Sequence, residues 1–93
     1  MEVILFTMKG CEHCDHLKKI LNERKISFIE KDIDKNKKVY DDFSKAVKSD
    51  YLPAALIGKK AFVPDQSFKT IVQAGSLIES YLSGLSHRGN HLG

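Results

Sequence analysis

The chain has 93 residues, of which 42 % are hydrophobic and 29 % are charged, and its formal net charge is +3. These values are typical of a single soluble domain, and the charge is too small to indicate a nucleic-acid-binding protein. No apolar run approaches the roughly 18 residues that a membrane-spanning helix requires. The N-terminus shows no basic leader followed by an apolar stretch, so we expect no signal peptide and a reducing, cytoplasmic location.

The first third of the chain predicts a strand, a helix and a second strand. The strand is predicted at residues 2–6, where the run Val3-Ile4-Leu5-Phe6 is continuously apolar, as in a strand covered on both faces. A loop at 7–10 precedes a helix from Cys11 to about Arg24, whose apolar residues share one face. The second strand is predicted at 26–33. This order forms a β-α-β unit, which makes the two strands parallel neighbours.

The middle of the chain predicts a second helix and a hairpin. The helix is expected at about 35–48, with Asp34 as its N-cap. Two strands are expected next, at 52–57 and 61–63, and Gly58-Lys59-Lys60 supplies the turn between them.

The end of the chain predicts a last helix and a tail. The helix is predicted to begin at Pro64-Asp65 and to end at about Leu82. Residues 83–93 are polar and glycine-rich, which predicts a flexible tail after a domain at 1–82. The side chains expected to face inward from the last helix are Phe68, Ile71, Val72, Gly75, Ile78 and Leu82.

Cys11 and Cys14 are the only cysteines, and their spacing forms a Cys-x-x-Cys motif at the predicted start of the first helix. At that spacing the sulfurs can form a disulfide with little backbone movement. The helix N-terminus stabilises a thiolate, so we expect a lowered pKa at Cys11, the nucleophile, and a more buried resolving thiol at Cys14. Redox chemistry is the favoured interpretation. A structural disulfide, half of a zinc site and two unrelated buried cysteines are the alternatives.

His13 lies between the two cysteines and is a candidate catalytic residue. A cationic imidazole near the Cys11 sulfur stabilises the thiolate and therefore makes the dithiol pair more oxidising. Glu12 and Asp15 oppose this effect, but only weakly if they are exposed and screened.

The element order, the Cys-x-x-Cys at the first helix and Pro53 at the third strand together resemble a glutaredoxin, the small form of the thioredoxin fold. The likeness runs from about Val3 to Leu82. It implies an α/β fold, β-α-β-α-β-β-α, with a four-stranded mixed sheet in the order 2-1-3-4 and three flanking helices. It also implies a thiol–disulfide oxidoreductase without a tightly bound cofactor.

The resemblance further implies a substrate site. Pro53 is expected to be cis and to lie beside the cysteines, which turns the backbone N–H and C=O of Leu52 outward as an edge for an extended thiol-containing ligand. Glutathione is the implied co-substrate. Lys9 is the candidate for its carboxylate, next to Met8, which replaces the family's lysine, and Asp65 is a candidate acceptor.

The sequence departs from the glutaredoxin pattern at several places. Glu12-His13 replaces Pro-Tyr, and Tyr51-Leu52 replaces Thr-Val before the proline. The Gly-Gly-x-Asp-Asp that holds the γ-glutamyl end of glutathione is also replaced, because both glycines fall on Phe62, Val63 or Pro64.

These departures leave several functions open. One alternative is a thioredoxin-like electron donor that does not use glutathione, and another is a metal or iron–sulfur module that uses the same cysteines. A third is an interaction module with incidental cysteines. The expected partners are proteins with disulfides and either glutathione or a thioredoxin reductase, with no nucleic acid, no membrane and no metal. The protein is expected to be a monomer.

Overall fold

The computed structural model describes residues 2–88, with side chains described for residues 2–84. The predicted order of strands and helices is confirmed. No helix within the described range is long and apolar enough to cross a membrane. In chain order the elements are β1 (Val3–Thr7), α1 (Glu12–Glu23), β2 (Ile29–Asp32), α2 (Lys37–Val47), β3 (Ala54–Ile57), β4 (Lys60–Phe62) and α3 (Ile71–Arg88).

The four strands form one mixed sheet in the predicted order β2-β1-β3-β4. β1 pairs in parallel with β2 and antiparallel with β3, and β3 pairs antiparallel with β4. In the register of β1 and β3, Phe6 lies opposite Ala54. The end of β1 and the beginning of β3 therefore lie side by side. The segment leading to the cysteines and the segment containing Pro53 consequently meet at one end of the sheet.

Successive side chains of β1 enter two different cores, because neighbouring residues of a strand point to opposite faces. Leu5 packs against α1 and α3, whereas Phe6 packs against α2. The Phe6 ring centroid lies 5.5 Å from that of Tyr40 and 4.7 Å from that of Phe43. β1 is thus buried on both faces, as its continuous apolar run predicts.

Two predicted boundaries in the first half of the chain are wrong, for local reasons. Lys25 adopts a left-handed conformation with φ 58°, and the N–H of Ile26 donates to the carbonyl of Leu21. This C-terminal capping pattern uses Ile26, the residue at which the second strand is predicted to begin. The N-cap of α2 is Asn36, not Asp34, because the N–H of Asp34 turns back to the Asp32 carboxylate.

The predicted start of the last helix is also wrong. α3 begins at Ile71, and residues 63–70 form a loop in which the N–H of Val63 donates to the Ser67 hydroxyl at 3.1 Å. Asp65 has φ 67°, which is incompatible with a helix. Thr70 caps α3 instead, since its hydroxyl accepts a hydrogen bond from the Gln73 N–H.

The last helix also ends later than predicted. α3 continues past Leu82 to Arg88, so residues 83–88 are helical. Residues 89–93 lie outside the described residues, and the division into a domain at 1–82 and a flexible tail at 83–93 therefore stays a prediction. Val72, which was expected to face inward, is 55 % exposed.

Gly75 lies where α1 and α3 approach each other. A Cβ added there would lie 2.5 Å from Cγ2 of Ile20, closer than packed carbon atoms can approach. Cγ2 of a β-branched side chain cannot move away easily, because χ1 is restricted in a helix. Gly75 thus allows the close contact between the two helices.

We expect Gly75→Ala to destabilise the protein by about 1–2 kcal/mol, because overpacking outweighs the roughly 1 kcal/mol that alanine gains in a helix. Gly84→Ala is the matched control in α3. Among the described residues, an added Cβ at Gly84 has no neighbour within 4 Å, so this change should stabilise by about 0.5–1 kcal/mol. Urea denaturation measures both. Equal effects of the two substitutions would contradict the packing role of Gly75.

Candidate active site

The cysteine pair lies at the start of α1 and forms a disulfide, with the two Cα atoms 5.2 Å apart. Cys11 is the N-cap residue, in extended conformation, and its Sγ accepts a hydrogen bond from the Cys14 N–H at 3.1 Å. Cys14 is completely buried, whereas Cys11 is partly exposed. The pair therefore has one accessible sulfur and one enclosed sulfur.

A tight turn delivers Cys11 from the end of β1. The N–H of Cys11 donates to the carbonyl of Met8 at 3.2 Å. Gly10 has φ 79°, a conformation that favours glycine because other residues carry a Cβ that is crowded there. The turn lies at the surface, since Met8, Lys9 and Gly10 are all exposed.

The Leu52–Pro53 peptide bond is cis, as the resemblance implied. Pro53 is buried and directly precedes β3, whose first residue Ala54 pairs with Phe6 near the end of β1. Within residues 2–88, the backbone N–H and C=O of Leu52 have no intramolecular hydrogen-bond partner. These two groups can therefore bind the backbone of an extended ligand.

A groove of about 460 Å³ lies beside the cysteine pair. His13 and His16 of α1 form one side of it, and Leu52 contributes from the segment before the cis-proline. The remaining side comes from the loop before α3 and the first turn of α3. The lining residues of this side are Pro64, Phe68, Lys69, Thr70, Ile71 and Val72.

The structure brings together some of the predicted site residues and separates others. His13 and Leu52 both line the groove. Lys9 and Asp65 do not line it. Lys9 is exposed on the loop before α1, and the carboxylate of Asp65 lies 4.0 Å from Nζ of Lys69. No structural observation tests the roles predicted for these residues.

His16 and Lys69 are groove residues that the sequence did not identify as functional. His16 could have been found, because residues three apart on a helix share a face and His13 was already a candidate. Lys69 could not have been found, because the last helix is predicted to begin at Pro64-Asp65, which places Lys69 inside the helix and not in a loop beside α1. Among the residues that the structure describes, no group of three or more His, Cys, Asp or Glu side chains is placed to hold a metal ion.

A polar network anchors the end of β1 next to the active-site turn. The buried Thr7 hydroxyl donates to Oε2 of Glu30 at 2.7 Å, and Nζ of Lys18 donates to the same oxygen at 3.0 Å. These two hydrogen bonds lower the pKa of Glu30, that from Thr7 most strongly. The hydrogen bond to Glu30 in turn raises the pKa of Lys18. The network joins β1, β2 and α1.

The cysteine pair lies at a helix N-terminus next to a cis-proline, and the mixed sheet has the strand order β2-β1-β3-β4. Together these features define a protein of the thioredoxin fold. The sequence profile of the glutaredoxin family matches residues 3–62. This is more than half of the chain, so the protein belongs to the glutaredoxin family. The curated proteins compared with the chain include no significant match.

Three solved structures illustrate the fold. The glutaredoxin-like protein NrdH-redoxin from Escherichia coli is 18 % identical, with a TM-score of 0.63 over 78 % of this chain and 93 % of that one. Glutaredoxin 1 from Francisella tularensis is 22 % identical, with a TM-score of 0.58 over 84 % and 96 %. Thioredoxin 1 from Thermosipho africanus is 17 % identical, with a TM-score of 0.53 over 89 % and 96 %. At these identities the likeness establishes the predicted thioredoxin-like fold and nothing finer.

The lowered pKa of Glu30 predicts how stability depends on pH. Its interactions with Thr7 and Lys18 favour the carboxylate in the folded state, so they stabilise the fold above the unfolded-state pKa, near 4.5. This contribution is lost as the pH falls through the lower, folded-state pKa. Because the groups are partly exposed to solvent, its size is below about 1 kcal/mol.

We therefore expect Glu30→Gln to lower the urea midpoint at pH 7, with the difference from the parent shrinking between pH 5 and pH 2. Asp42→Asn is a control on α2. The Asp42 carboxylate is exposed, and its ion pair with the exposed Lys38 ammonium, at 3.7 Å, is weak. This substitution should change the pH profile much less. A difference between Glu30→Gln and the parent that stays constant down to pH 2 would show that the carboxylate charge does not matter.

Proposed function

We propose that the protein is a thiol–disulfide oxidoreductase that reduces disulfides with the Cys11–Cys14 dithiol. The observation that carries this proposal is the position of Cys11, a partly exposed N-cap whose sulfur accepts the Cys14 N–H. A backbone N–H aimed at the sulfur and the positive end of α1 both favour a thiolate over a thiol. Cys11 is therefore the nucleophile, and the buried Cys14 is the resolving thiol.

The reaction proceeds in two exchange steps. The Cys11 thiolate attacks one sulfur of the substrate disulfide, the substrate S–S bond breaks, and the other substrate sulfur leaves as a thiolate. Cys14 then loses its proton and attacks Cys11 Sγ, which forms the intramolecular disulfide and releases the second substrate thiol. Two electrons pass from the dithiol to the substrate. The oxidised product of this sequence is the state seen in the structure.

Leu52 and Pro53 serve as the substrate edge in this proposal. The free N–H and C=O of Leu52 can pair with the backbone of a substrate segment, as in the addition of a strand to a sheet edge. Such pairing holds the substrate cysteine beside Cys11. Substrates of this kind are proteins with accessible disulfides, and we propose that the protein meets them as a monomer in the cytoplasm.

The electron donor is either glutathione, as a co-substrate, or a thioredoxin reductase. Glutathione is proposed from the family, with Lys9 and Asp65 as its candidate contacts. One observation favours the thioredoxin-like alternative. Neither Lys9 nor Asp65 lines the groove, and the sequence has Phe62, Val63 or Pro64 where the family has its glycine pair.

The proposed roles of the cysteines predict two different outcomes. Reduced Cys11→Ser should not react with hydroxyethyl disulfide, because it lacks the nucleophile. Reduced Cys14→Ser should react once and remain as a mixed disulfide, because nothing resolves it. Mass spectrometry of acid-quenched samples distinguishes these species. If Cys11→Ser reacts like the parent, the assignment of the nucleophile is wrong.

Mass spectrometry of acid-quenched samples of the oxidised parent identifies the electron donor. Recovery of free thiols is followed with glutathione, and separately with NADPH and a thioredoxin reductase. Rapid reduction by glutathione alone supports the glutaredoxin-like function, and rapid reduction by the reductase alone supports the thioredoxin-like one. Reduction by neither would contradict both forms of the proposal.

We propose that His13 increases the reactivity of Cys11. It follows Cys11 by two residues in the first turn of α1, and it is exposed toward the groove. In its cationic form the imidazole favours the thiolate electrostatically. Glu12 and Asp15 are both exposed and oppose it only weakly, because solvent and salt screen them.

For His13→Gln we expect a higher apparent pKa in the pH profile of Cys11 alkylation by iodoacetamide, measured with Cys14→Ser as the background. A shift of a few tenths to about one unit corresponds to an exposed charge interaction. Lys19→Gln removes an exposed positive charge further along α1 and is the matched control. Identical alkylation profiles for His13→Gln and its background would remove His13 from the mechanism.

A further inference from the structure

The groove beside the cysteine pair has a basic character that the family motif does not explain. Three side chains that can carry a positive charge line it, and they come from two separate segments: His13 and His16 from α1, and Lys69 from the loop before α3. Among the described residues that line this groove, none is acidic. The first turn of α3 also has no acidic side chain. The groove is therefore complementary to negative charge.

The cationic end of Lys69 is not occupied by a strong partner. Among the described residues, its partners belong to Asp65: Nζ donates a long hydrogen bond to the Asp65 carbonyl at 3.5 Å, and the Asp65 carboxylate lies 4.0 Å away. The two side chains are 75 % and 71 % exposed. An ion pair this long and this exposed is weak. Lys69 can therefore interact with a ligand in the groove, with Asp65 reducing its attraction only in part.

The groove also offers apolar surface. Leu52, Phe68 and Ile71 line it together with Val72, which is 55 % exposed although the residue is large and hydrophobic. Two more exposed hydrophobic residues belong to segments next to the site. Met8 lies in the turn before Cys11 and is 44 % exposed, and Tyr51 precedes Leu52 and is 63 % exposed. Exposed apolar side chains gathered at one place indicate a surface that contacts another protein.

These observations point to one kind of occupant. The geometry assigns the groove to an extended polypeptide segment of the substrate, in which acidic and apolar residues flank the cysteine that Cys11 attacks. This inference rests on the proposed oxidoreductase function and specifies its substrate class. The backbone of the segment pairs with Leu52, its apolar side chain contacts Ile71 and Val72, and its carboxylate lies near His16 and Lys69.

The exchange chemistry is the same as that proposed above. The groove only raises the rate at which a substrate with the right flanking residues reaches the Cys11 thiolate. Because the lining charges are exposed, the effect is expected in the encounter rate and should weaken as salt screens it.

The test uses three synthetic nonapeptides of one design. Each has a single cysteine in a mixed disulfide with 2-mercaptoethanol and a leucine two residues away, and the residues on both sides of the cysteine are glutamate, glutamine or lysine. Oxidation of the reduced parent is followed by acid quenching and mass spectrometry. Rates with dithiothreitol, which has no groove, correct for the intrinsic reactivity of each peptide.

At low salt we expect the corrected rate of the glutamate peptide to exceed that of the lysine peptide by about three- to tenfold, in line with exposed charge pairs. Lys69→Glu should lower this ratio to about one or below. Lys45→Glu is the matched control, since it makes the same change in charge at an exposed position of α2, on the other face of the sheet. It should leave the ratio as in the parent.

Each other outcome overturns a stated part of the argument. An equal ratio in the parent and in Lys69→Glu, or an equal fall in Lys69→Glu and Lys45→Glu, would refute recognition by the groove. If oxidised glutathione reacts faster than the glutamate peptide and loses most of this advantage in Lys69→Glu, the groove binds glutathione rather than a polypeptide. No reaction of the reduced parent with any peptide or with hydroxyethyl disulfide would instead refute the oxidoreductase function itself.

Discussion

The hydrogen bond from the Cys14 N–H to the Cys11 sulfur caps α1 and also contacts the sulfur of the proposed nucleophile. The first N–H groups of any helix need an acceptor from outside the helical pattern, and N-cap residues normally provide an oxygen. Here a sulfur takes that place. The group that completes the helix is therefore also the proposed nucleophile. This arrangement requires that the chain enter α1 in an extended conformation at Cys11, which the turn containing Gly10 makes possible.

The position of this helix start depends on β1. The strand is buried on both faces, and its register with β3 places the cis-proline segment next to the turn that leads to Cys11. Thr7 anchors the same end of the strand through Glu30 to Lys18 on α1. The Cys11 sulfur and the backbone of Leu52 lie at the two ends of the site. Both are therefore positioned by a central strand and not by loops alone.

Sequence periodicity predicted the strands, the first two helices and the parallel pairing of β1 and β2, because each depends on an apolar pattern or a βαβ connection, whereas the full sheet order came from the resemblance to the glutaredoxin family. Periodicity failed where side chains compete for backbone groups. The Asp32 carboxylate accepts the N–H of Asp34, and α2 begins later in the sequence than predicted. The Ser67 hydroxyl accepts the N–H of Val63 in the loop before α3, and α3 also begins later than predicted. Such local hydrogen bonds leave no periodic signal. The cysteines and the cis-proline could be predicted from the family motif, but the groove could not, because its walls are distant in the sequence.

The shape of the groove follows from the late start of α3. If the helix began at Pro64, Phe68 and Lys69 would lie within its first two turns. Instead the loop at 63–70 buries Phe68 in the core and places Lys69 at the groove, opposite the histidines of α1. The close contact of α1 and α3 at Gly75 sets the spacing of these two walls. The residues that distinguish this protein from the family pattern thus act together. The loop that replaces the glycine pair supplies both an apolar wall and a positive charge to the groove, the two features on which the proposed recognition of an acidic, partly apolar polypeptide rests.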